Sequence, residues 1–186
     1  WLERAGIDPK RRGETLSPKA LPFLDQLGWR ALLTSDCALA GEDRFSVWGS
    51  AHLRRSPSIE GAGYHIDRAG LESAMARSLV EIERHPEIAT RIAHLPDGVR
   101  VRLANGEQLT APALIDCTGR AALTSGPTAN RKRLDKLTAA WRVLSLPGDT
   151  ETLAATLIEA VELGWWYVSP MPTNRLMVGL FTDSDL

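Results

Sequence analysis

An amphipathic helix is predicted near the start of the chain, where residues 16–27 (LSPKALPFLDQL) carry apolar side chains at close to helical spacing. Ser17 is expected to cap its N-terminus, with Pro18 in the first turn, where a missing N–H loses no helical partner. Gly28 is expected to end the helix, because glycine adopts the left-handed conformation common after a helix C-terminus.

A second and clearer helix is predicted in GYHIDRAGLESAMARSLVEIERHP, residues 63–86. Asp67 is the expected N-cap, and apolar residues follow at positions 71, 75, 79 and 82, in steps of four and three. Pro86 is expected to end it. His65 lies just before the cap, and we expect it to orient a loop rather than to act as an acid or base.

Strand patterns account for most of the remaining chain. Val99, Val101 and Leu103 alternate with arginines, and Asn105–Gly106 predicts a two-residue hairpin turn after them. Further strand-like runs are RFSVWGS (44–50), ALIDCTGR (113–120), LTAAWRVLSL (137–146) and the segment from 156 to 183, which predicts two or three antiparallel strands.

The order of these elements indicates a fold class. Helix and strand units that suit a parallel sheet give way near residue 137 to a run of strands. This predicts an α/β protein with α+β character, in which part of a nucleotide domain precedes a substrate sheet.

Composition excludes several classes of function. The net charge is −1, so there is no electrostatic case for binding nucleic acid or an anionic membrane. No apolar run approaches the roughly 18 residues of a membrane-spanning helix. Neither the two cysteines nor the four histidines show metal-ligand spacing. These features predict a cytoplasmic protein without a metal site. The opening WLERAGIDP has neither an initiator methionine nor a capping residue, so we expect a fragment.

Five segments, in this order, carry a resemblance to a known superfamily: LERAGIDPKRRGETLSPKALPFLDQLG, WGS, GYHIDRAGLESAM, LIDCTGR and GWWYVSPMPTNRLMVGLFTD. Together they resemble the flavin-dependent monooxygenases and halogenases. The resemblance is nearest to FAD-dependent oxidoreductases similar to tryptophan halogenases, including those that help to mature quinone cofactors. It implies a partial, three-layer, Rossmann-like FAD-binding domain with inserted segments at residues 1–136. Residues 137–186 would begin an antiparallel substrate-binding sheet.

The resemblance implies cofactor contacts at the N-terminus. Glu3, with Arg4 beside it, lies where such folds place the acid that accepts the ribose hydroxyls. The glycine-rich turn that precedes this acid would lie upstream of Trp1, and we expect a Gly-x-Gly-x-x-Gly there. The alternative is that Glu3 is an exposed surface residue.

Two further loops are implied to approach the FAD. In Arg12-Gly13-Glu14 a guanidinium can bind phosphate oxygens and the glycine lets the backbone come close, although a plain polar loop remains the alternative. LIDCTGR is implied to place Asp116, Thr118 and Gly119 beside the adenosine half of the cofactor. Cys117 is expected to be a buried small side chain.

GWWYVSP bears on the subclass. At the matching place halogenases carry the pattern Trp-x-Trp-x-Ile-Pro, where x is any residue. This chain has Trp165, Tyr167, Ser169 and Pro170 at the four specified positions, so the second and third differ. CALAGEDRFSVW (37–48) also lacks the lysine that halogenases use, so halogenation is disfavoured. On a strand, Trp165 and Tyr167 share one face and Trp166 points away. The first two are predicted to line a substrate pocket, with ordinary sheet packing as the alternative.

The resemblance therefore implies an FAD-dependent oxidoreductase, specifically a monooxygenase. NAD(P)H would reduce the FAD, and oxygen would pass from a flavin C4a-(hydro)peroxide to an electron-rich aromatic substrate, either a small molecule or peptide-borne. No catalytic acid or base is predicted. A flavin-dependent halogenase, a prenyl-type reductase and a substrate-binding module without cofactor are the competing interpretations.

Overall fold

A computed structural model describes Leu2, residues 14–125 and residues 135–185. Its strands are β1 (Glu14–Leu16), β2 (Ala38–Gly41), β3 (Asp43–Val47), β4 (Arg54–Pro57), β5 (Gly63–Ile66), β6 (Ala89–Leu95), β7 (Gly98–Leu103), β8 (Gln108–Ala111), β9 (Leu137–Ser145), β10 (Ala155–Val161), β11 (Gly164–Met171) and β12 (Arg175–Asp183). Its α-helices are α1 (Leu21–Gln26) and α2 (Arg68–Ser78), and short 3-10 turns lie at Pro18–Ala20, Arg30–Leu32 and Gly119–Ala121.

The described strands form three sheets. Their orders are β1-β5-β2, β4-β3-β10-β11-β12-β9 and β6-β7-β8. Strands β3 and β10 pair in parallel, and the other described neighbours pair antiparallel. The mixed sheets and few helices agree with the expected α/β class with α+β character. The parallel pairing of β3 with β10 was not predicted, because nothing in either sequence specifies so distant a partner.

Contacts divide the chain into two compact units. One contains Trp1–Gly6 and Val80–Arg133, and the other contains Ile7–Leu79 and Leu134–Leu186. The sequence assigns residues 1–136 to cofactor binding and residues 137–186 to substrate binding. This functional division stays a prediction.

The unit that contains Val80–Arg133 is built on the β6-β7-β8 meander. Val99, Val101 and Leu103 are buried while the arginines between them are exposed, as the alternation predicts. The hairpin at Asn105–Gly106 is confirmed, since Leu103 N–H donates to the carbonyl of Glu107 across it. The prediction of a two-residue turn is wrong, because the loop holds three residues, 104–106, and Gly106 N–H donates to the carbonyl of Leu103. Leu2 also forms a parallel bridge with His85.

The segment ALIDCTGR departs from its predicted form. Residues 113–118 are not a strand, because among the described residues no strand lies beside them to complete their backbone hydrogen bonds. Ile115 is 86% exposed, and Cys117 is exposed rather than buried as expected.

Helix starts in the second unit follow the sequence, but helix lengths do not. Ser17 Oγ accepts from Lys19 N–H, and Gly28 has a φ of +69°, so both ends of the first helical segment are confirmed. α2 begins after Asp67 but ends at Ser78 rather than near Pro86. Beyond it Val80 is 86% exposed, because the apolar spacing there meets no core among the described residues.

A small core joins α2 to the three-stranded sheet. Cys37, Ala38, Ile66 and Leu71 are buried together. Partly buried apolar side chains pack around them: Leu16, Leu32, Leu33, Tyr64 and Met75. Burying such side chains contributes roughly 1.5–3 kcal/mol each for the larger ones, so this cluster fixes α2 on β1, β5 and β2.

The first turn of α2 ties elements of the second unit together through charges. Asp67 Oδ1 accepts from Ala69 N–H, and its Oδ2 accepts from Arg175 Nη2 at 2.7 Å, at the start of β12. The next residue, Arg68, donates to Glu14 on β1 and to Glu72 one turn along the helix.

His65 provides a second, neutral tie. It is 2% exposed, and its Nδ1 lies 2.9 Å from the hydroxyl of Ser169 on β11, which is itself 1% exposed. A hydrogen bond to the backbone of Ala154 uses the other side of the ring, and burial lowers the pKa of His65 below its ordinary 6.5. The neutral imidazole therefore accepts from Ser169 and donates to Ala154, which is a structural role. The expectation that His65 does not act as an acid or base stays a prediction.

The Asp67 tie predicts a graded loss of stability. We expect Asp67→Ala to lower the free energy of unfolding by about 1–3 kcal/mol, because it removes both the helix cap and the partner of Arg175. Asp67→Asn keeps a side-chain acceptor for the cap and should lose less. Urea unfolding of the two variants beside the wild type checks this. Equal stability of Asp67→Ala and the wild type would contradict it.

The His65 tie predicts a pH dependence. Because the folded state holds the pKa of His65 below 6.5, the unfolded chain binds its proton more readily. The contribution of this group to stability is constant above its unfolded pKa and is lost as the pH falls below it. We expect His65→Asn to flatten the decrease in unfolding free energy between about pH 7 and about pH 5, measured by urea unfolding. Identical slopes for the two proteins would show that His65 is not buried as a neutral group.

Candidate functional site

A cleft of about 320 Å³ opens on one face of the six-stranded sheet in the second unit. Strands β9, β11 and β12 supply its floor and walls, and β1 closes one side. The lining residues are Glu14, Thr15, Ala139, Trp141, Tyr167, Met177, Gly179 and Phe181.

Strand register explains why these residues meet. β12 lies between β9 and β11, and Gly179 is paired with Trp141 on one side and with Tyr167 on the other. Since side chains alternate between faces, Met177 and Phe181 share the face of Gly179. The cleft is therefore a direct product of hairpin pairing in the last third of the chain.

Aromatic rings form one end of the cleft. Phe181 stacks in parallel on Trp165 with ring centroids 5.2 Å apart, and Tyr167 meets Phe181 edge-on at 6.4 Å. Trp48 packs against the Trp165 ring at 6.1 Å. Trp165 thus supports the wall formed by Phe181, and Trp166 points to the opposite face, as the alternation predicts.

Hydroxyl groups supply the polar part of the cleft. Tyr167 Oη and Thr15 Oγ1 are 2.9 Å apart, and Thr15 Oγ1 lies 3.5 Å from the buried Thr156 hydroxyl. These contacts hold the Tyr167 phenol in place between β1 and the large sheet. A hydroxyl can donate and accept, so the pair can present either function to a bound molecule.

Glu14 lies at the edge of this cleft, with its side chain on the α2 side of β1, opposite to Thr15. Its side chain is 38% exposed, and one carboxylate oxygen accepts from Arg68. The pairing with Arg68, which also binds Glu72, restrains Glu14 through the first turn of α2. Half-exposed ion pairs of this kind contribute little to stability, so the main effect is on where the carboxylate points.

Asp116, in the other unit, organises the loop around it. Its two carboxylate oxygens accept from the backbone N–H and hydroxyl groups of both Thr118 and Thr124, at 2.6–2.9 Å. The side-chain hydrogen bonds from Thr118 and Thr124 are the main reason that the pKa of Asp116 lies well below its ordinary 3.8. Thr118 Oγ1 in turn accepts from Leu123 N–H. The carboxylate is thus charged and fully engaged within its own loop.

The turn at Gly119 is open. Gly119 has a φ of +60°, and a Cβ placed there would meet no atom within 4 Å. The glycine therefore serves the left-handed backbone turn rather than relieving a contact with the described residues. A group bound against this turn would meet exposed backbone.

The predicted site residues are distributed as follows. Glu3, Arg4, Arg12 and Gly13 lie outside the described residues, and their roles stay predictions. Asp116, Thr118 and Gly119 form one loop of the first unit. In the second unit Glu14 and Tyr167 line the same cleft, whereas Trp165 packs behind Phe181.

Sequence reasoning missed most of the cleft. Thr15, Trp141, Met177, Gly179 and Phe181 were not predicted as site residues. One signal in the sequence was available. Once β11 and β12 are paired as a hairpin, Gly179 lies opposite Tyr167 and Phe181 lies opposite Trp165, so all four residues share one face of the sheet. The pairing of β9 with β12, which adds Trp141, could not be deduced from local pattern.

Two kinds of site find no support in the part of the chain that the structure describes. It holds no cluster of three or more histidine, cysteine, aspartate or glutamate side chains arranged for a metal ion. No helix within it has both the length and the apolar character needed to cross a bilayer.

No protein-family model matches the chain. In sequence it is similar to a curated protein named as FAD-dependent oxidoreductase LodB, from Marinomonas mediterranea, with 25% identity over 198 residues. The match covers 100% of this chain and 53% of that relative, so the chain spans about half of the relative's length.

Solved structures share the fold. A flavin-dependent halogenase from Xanthomonas campestris matches with a TM-score of 0.81 and 16% identity, over 99% of this chain and 50% of that one. The peptidyl tryptophan dihydroxylase QhpG, essential for tryptophylquinone cofactor biogenesis, matches with a TM-score of 0.63 and 15% identity, over 98% of this chain and 40% of that one. The chain thus has the fold of these flavin-dependent halogenases and hydroxylases. The resemblance to the flavin-dependent monooxygenase and halogenase superfamily that the sequence indicated is confirmed.

Proposed function

We propose that the full-length protein is an FAD-dependent oxidoreductase that acts as a monooxygenase on an electron-rich aromatic substrate. One observation carries the proposal furthest. Glu14, which the sequence assigned to the cofactor, and Tyr167, which it assigned to the substrate, line one cleft. A redox site needs its cofactor and its substrate side by side, and the names of the relatives support this interpretation.

The described residues are compatible with a flavin nucleotide. In the first unit, the open turn at Gly119, held by Asp116 and Thr118, offers exposed backbone to a nucleotide. In the second unit, Glu14 lies at the edge of the cleft that we assign to the redox site. Because the carboxylate of Asp116 is engaged within its loop, its proposed part is to hold the turn rather than to bind the nucleotide directly. Glu3, Arg4, Arg12 and Gly13 remain proposed contacts on the strength of the resemblance.

In this proposal the protein's own residues bind and orient the substrate. Bound FAD, reduced by NAD(P)H, would supply the activation of dioxygen. Trp141, Phe181 and Met177 would exclude water and orient the flat ring of the substrate toward the bound FAD. The Tyr167 and Thr15 hydroxyls would hold one polar group of the substrate and so fix which ring position faces the cofactor.

Halogenation is the main competing activity, because solved halogenases share the fold. Two features disfavour it. Residues 37–48 contain no lysine, and Tyr167 and Ser169 stand where halogenases carry tryptophan and isoleucine. A prenyl-type reductase would differ from the proposed enzyme in needing no dioxygen, and a cofactor-less binding module would differ in taking up no flavin.

Flavin content and oxygen use test the proposal. We expect the purified full-length protein to absorb at about 450 nm and, with NAD(P)H and substrate, to consume dioxygen in proportion to hydroxylated product. Dependence of product on chloride or bromide would instead indicate a halogenase. Turnover without oxygen would indicate a reductase, and a colourless protein that takes up no FAD would indicate a binding module.

The loop of Asp116 gives a more local prediction. We expect Asp116→Ala in the full-length protein to weaken FAD binding by about tenfold, since four hydrogen bonds that shape the turn are lost. Flavin fluorescence titration of the apoprotein measures this. Asp97→Ala, in the β6–β7 turn of the same unit, is the matched control and should bind FAD as the wild type does. Equal affinities for all three proteins would remove this loop from the cofactor site.

A further inference from the structure

Glycines inside the described strands fall into two groups. At Gly41, Gly63, Gly98 and Gly164 a Cβ would collide with a backbone carbonyl oxygen of a neighbouring segment. Close backbone approach therefore requires glycine at these positions. Gly179, in the middle of β12, is the exception.

Nothing in the described structure forces residue 179 to be glycine. A Cβ there would lie 3.6 Å from the Phe181 ring, 3.7 Å from Trp141 Cβ and 3.8 Å from Ala140 O, which are ordinary contact distances. Its φ lies outside the left-handed region that favours glycine. Glycine inside a strand is unfavourable, because it loses more backbone entropy and provides no side chain to pack. The described packing therefore gives no reason for a glycine at this position, and the space that it leaves is the feature that remains.

That space is the floor of the cleft. Trp141 and Tyr167 lie across from Gly179 on the two neighbouring strands, and Met177 and Phe181 lie two residues away on its own strand. Four large side chains thus surround a position that has no side chain of its own. Ala139, paired with Phe181, widens the gap toward β9.

We propose that Gly179 is a specificity-determining residue, and that its gap receives the edge of a planar aromatic ring bearing an O–H or N–H group. This inference deepens the proposed function and rests on it for the identity of the site. The ring edge would lie over Gly179 between Trp141 and Phe181, with its polar group on the Tyr167–Thr15 hydroxyl pair.

Shape and surface chemistry favour a flat ring over an aliphatic group. Aromatic side chains attract another ring through edge-to-face and offset contacts, and Met177 contributes a polarizable sulfur. A saturated ring of the same size is thicker and has no π-face for these contacts. The hydroxyl pair, held at 2.9 Å, adds a fixed polar partner at one end.

The test adds side-chain carbons at residue 179 and measures how ring binding changes. In the full-length FAD-loaded protein, Gly179→Ala and Gly179→Val place one and three carbons in the floor of the cleft. Ala140→Val is the matched control, because Ala140 is the next residue to Trp141 on β9, faces the opposite side of the sheet and is exposed. Phenol, indole and cyclohexanol are the probes, and calorimetric titration gives their affinities.

We expect the wild type and Ala140→Val to bind phenol and indole at least about tenfold more tightly than cyclohexanol. Gly179→Val should lose this preference, and Gly179→Ala should weaken indole binding at least about threefold. Flavin absorbance at about 450 nm should be unchanged in every variant. If Gly179→Val does not fold, the Gly179→Ala affinities decide.

Unchanged affinities in the folded Gly179 variants, or equal binding of phenol and cyclohexanol by the wild type, would overturn the inference. Either result with flavin retained leaves the proposed function standing. Ring binding that depends on Gly179 in a protein that takes up no FAD would overturn the proposed function and keep the inference.

Discussion

The arrangement depends above all on the register of β12 between β9 and β11. Side chains alternate along a strand, so a slip of one residue would turn Gly179 and Phe181 to the opposite face and bring Val178 and Leu180 into the cleft. Pairing across both neighbours fixes this register over nearly the whole strand. Every feature of the candidate site in the large sheet follows from this one geometric constraint.

The β1-β5-β2 sheet is held by polar contacts over the face of the six-stranded sheet that carries the cleft. Thr15 meets Tyr167, and the buried pair of His65 and Ser169 joins β5 to β11. Asp67, at the start of α2, adds a charged link to Arg175 on β12. Such contacts are directional, so they fix position as well as proximity, which an apolar interface alone would specify less sharply. Glu14 reaches the cleft because β1 is placed in this way.

Local features of the fold could be predicted from the sequence, and distant pairings could not. Ser17, Asp67 and the Asn105–Gly106 turn were recognised because their roles depend on adjacent residues. The end of α2 was misplaced, since apolar spacing after Ser78 continues without a core to bury it. The apolar run around Ile115 predicts a strand, because such a run looks the same with or without a neighbouring strand. Of the residues that line the cleft, the sequence predicts only Glu14 and Tyr167 as site residues, because the pairing of strands β9 and β12 cannot be deduced from local pattern.

A crystal structure of the full-length protein with FAD and phenol would show directly whether an aromatic ring occupies the gap above Gly179, beside the flavin. We expect ring density within contact distance of Gly179 Cα, flanked by Trp141 and Phe181, with the phenol oxygen near Tyr167 Oη and the flavin next to Glu14. Phenol or flavin bound elsewhere, or a Trp141 ring folded down to fill the gap, would contradict this arrangement.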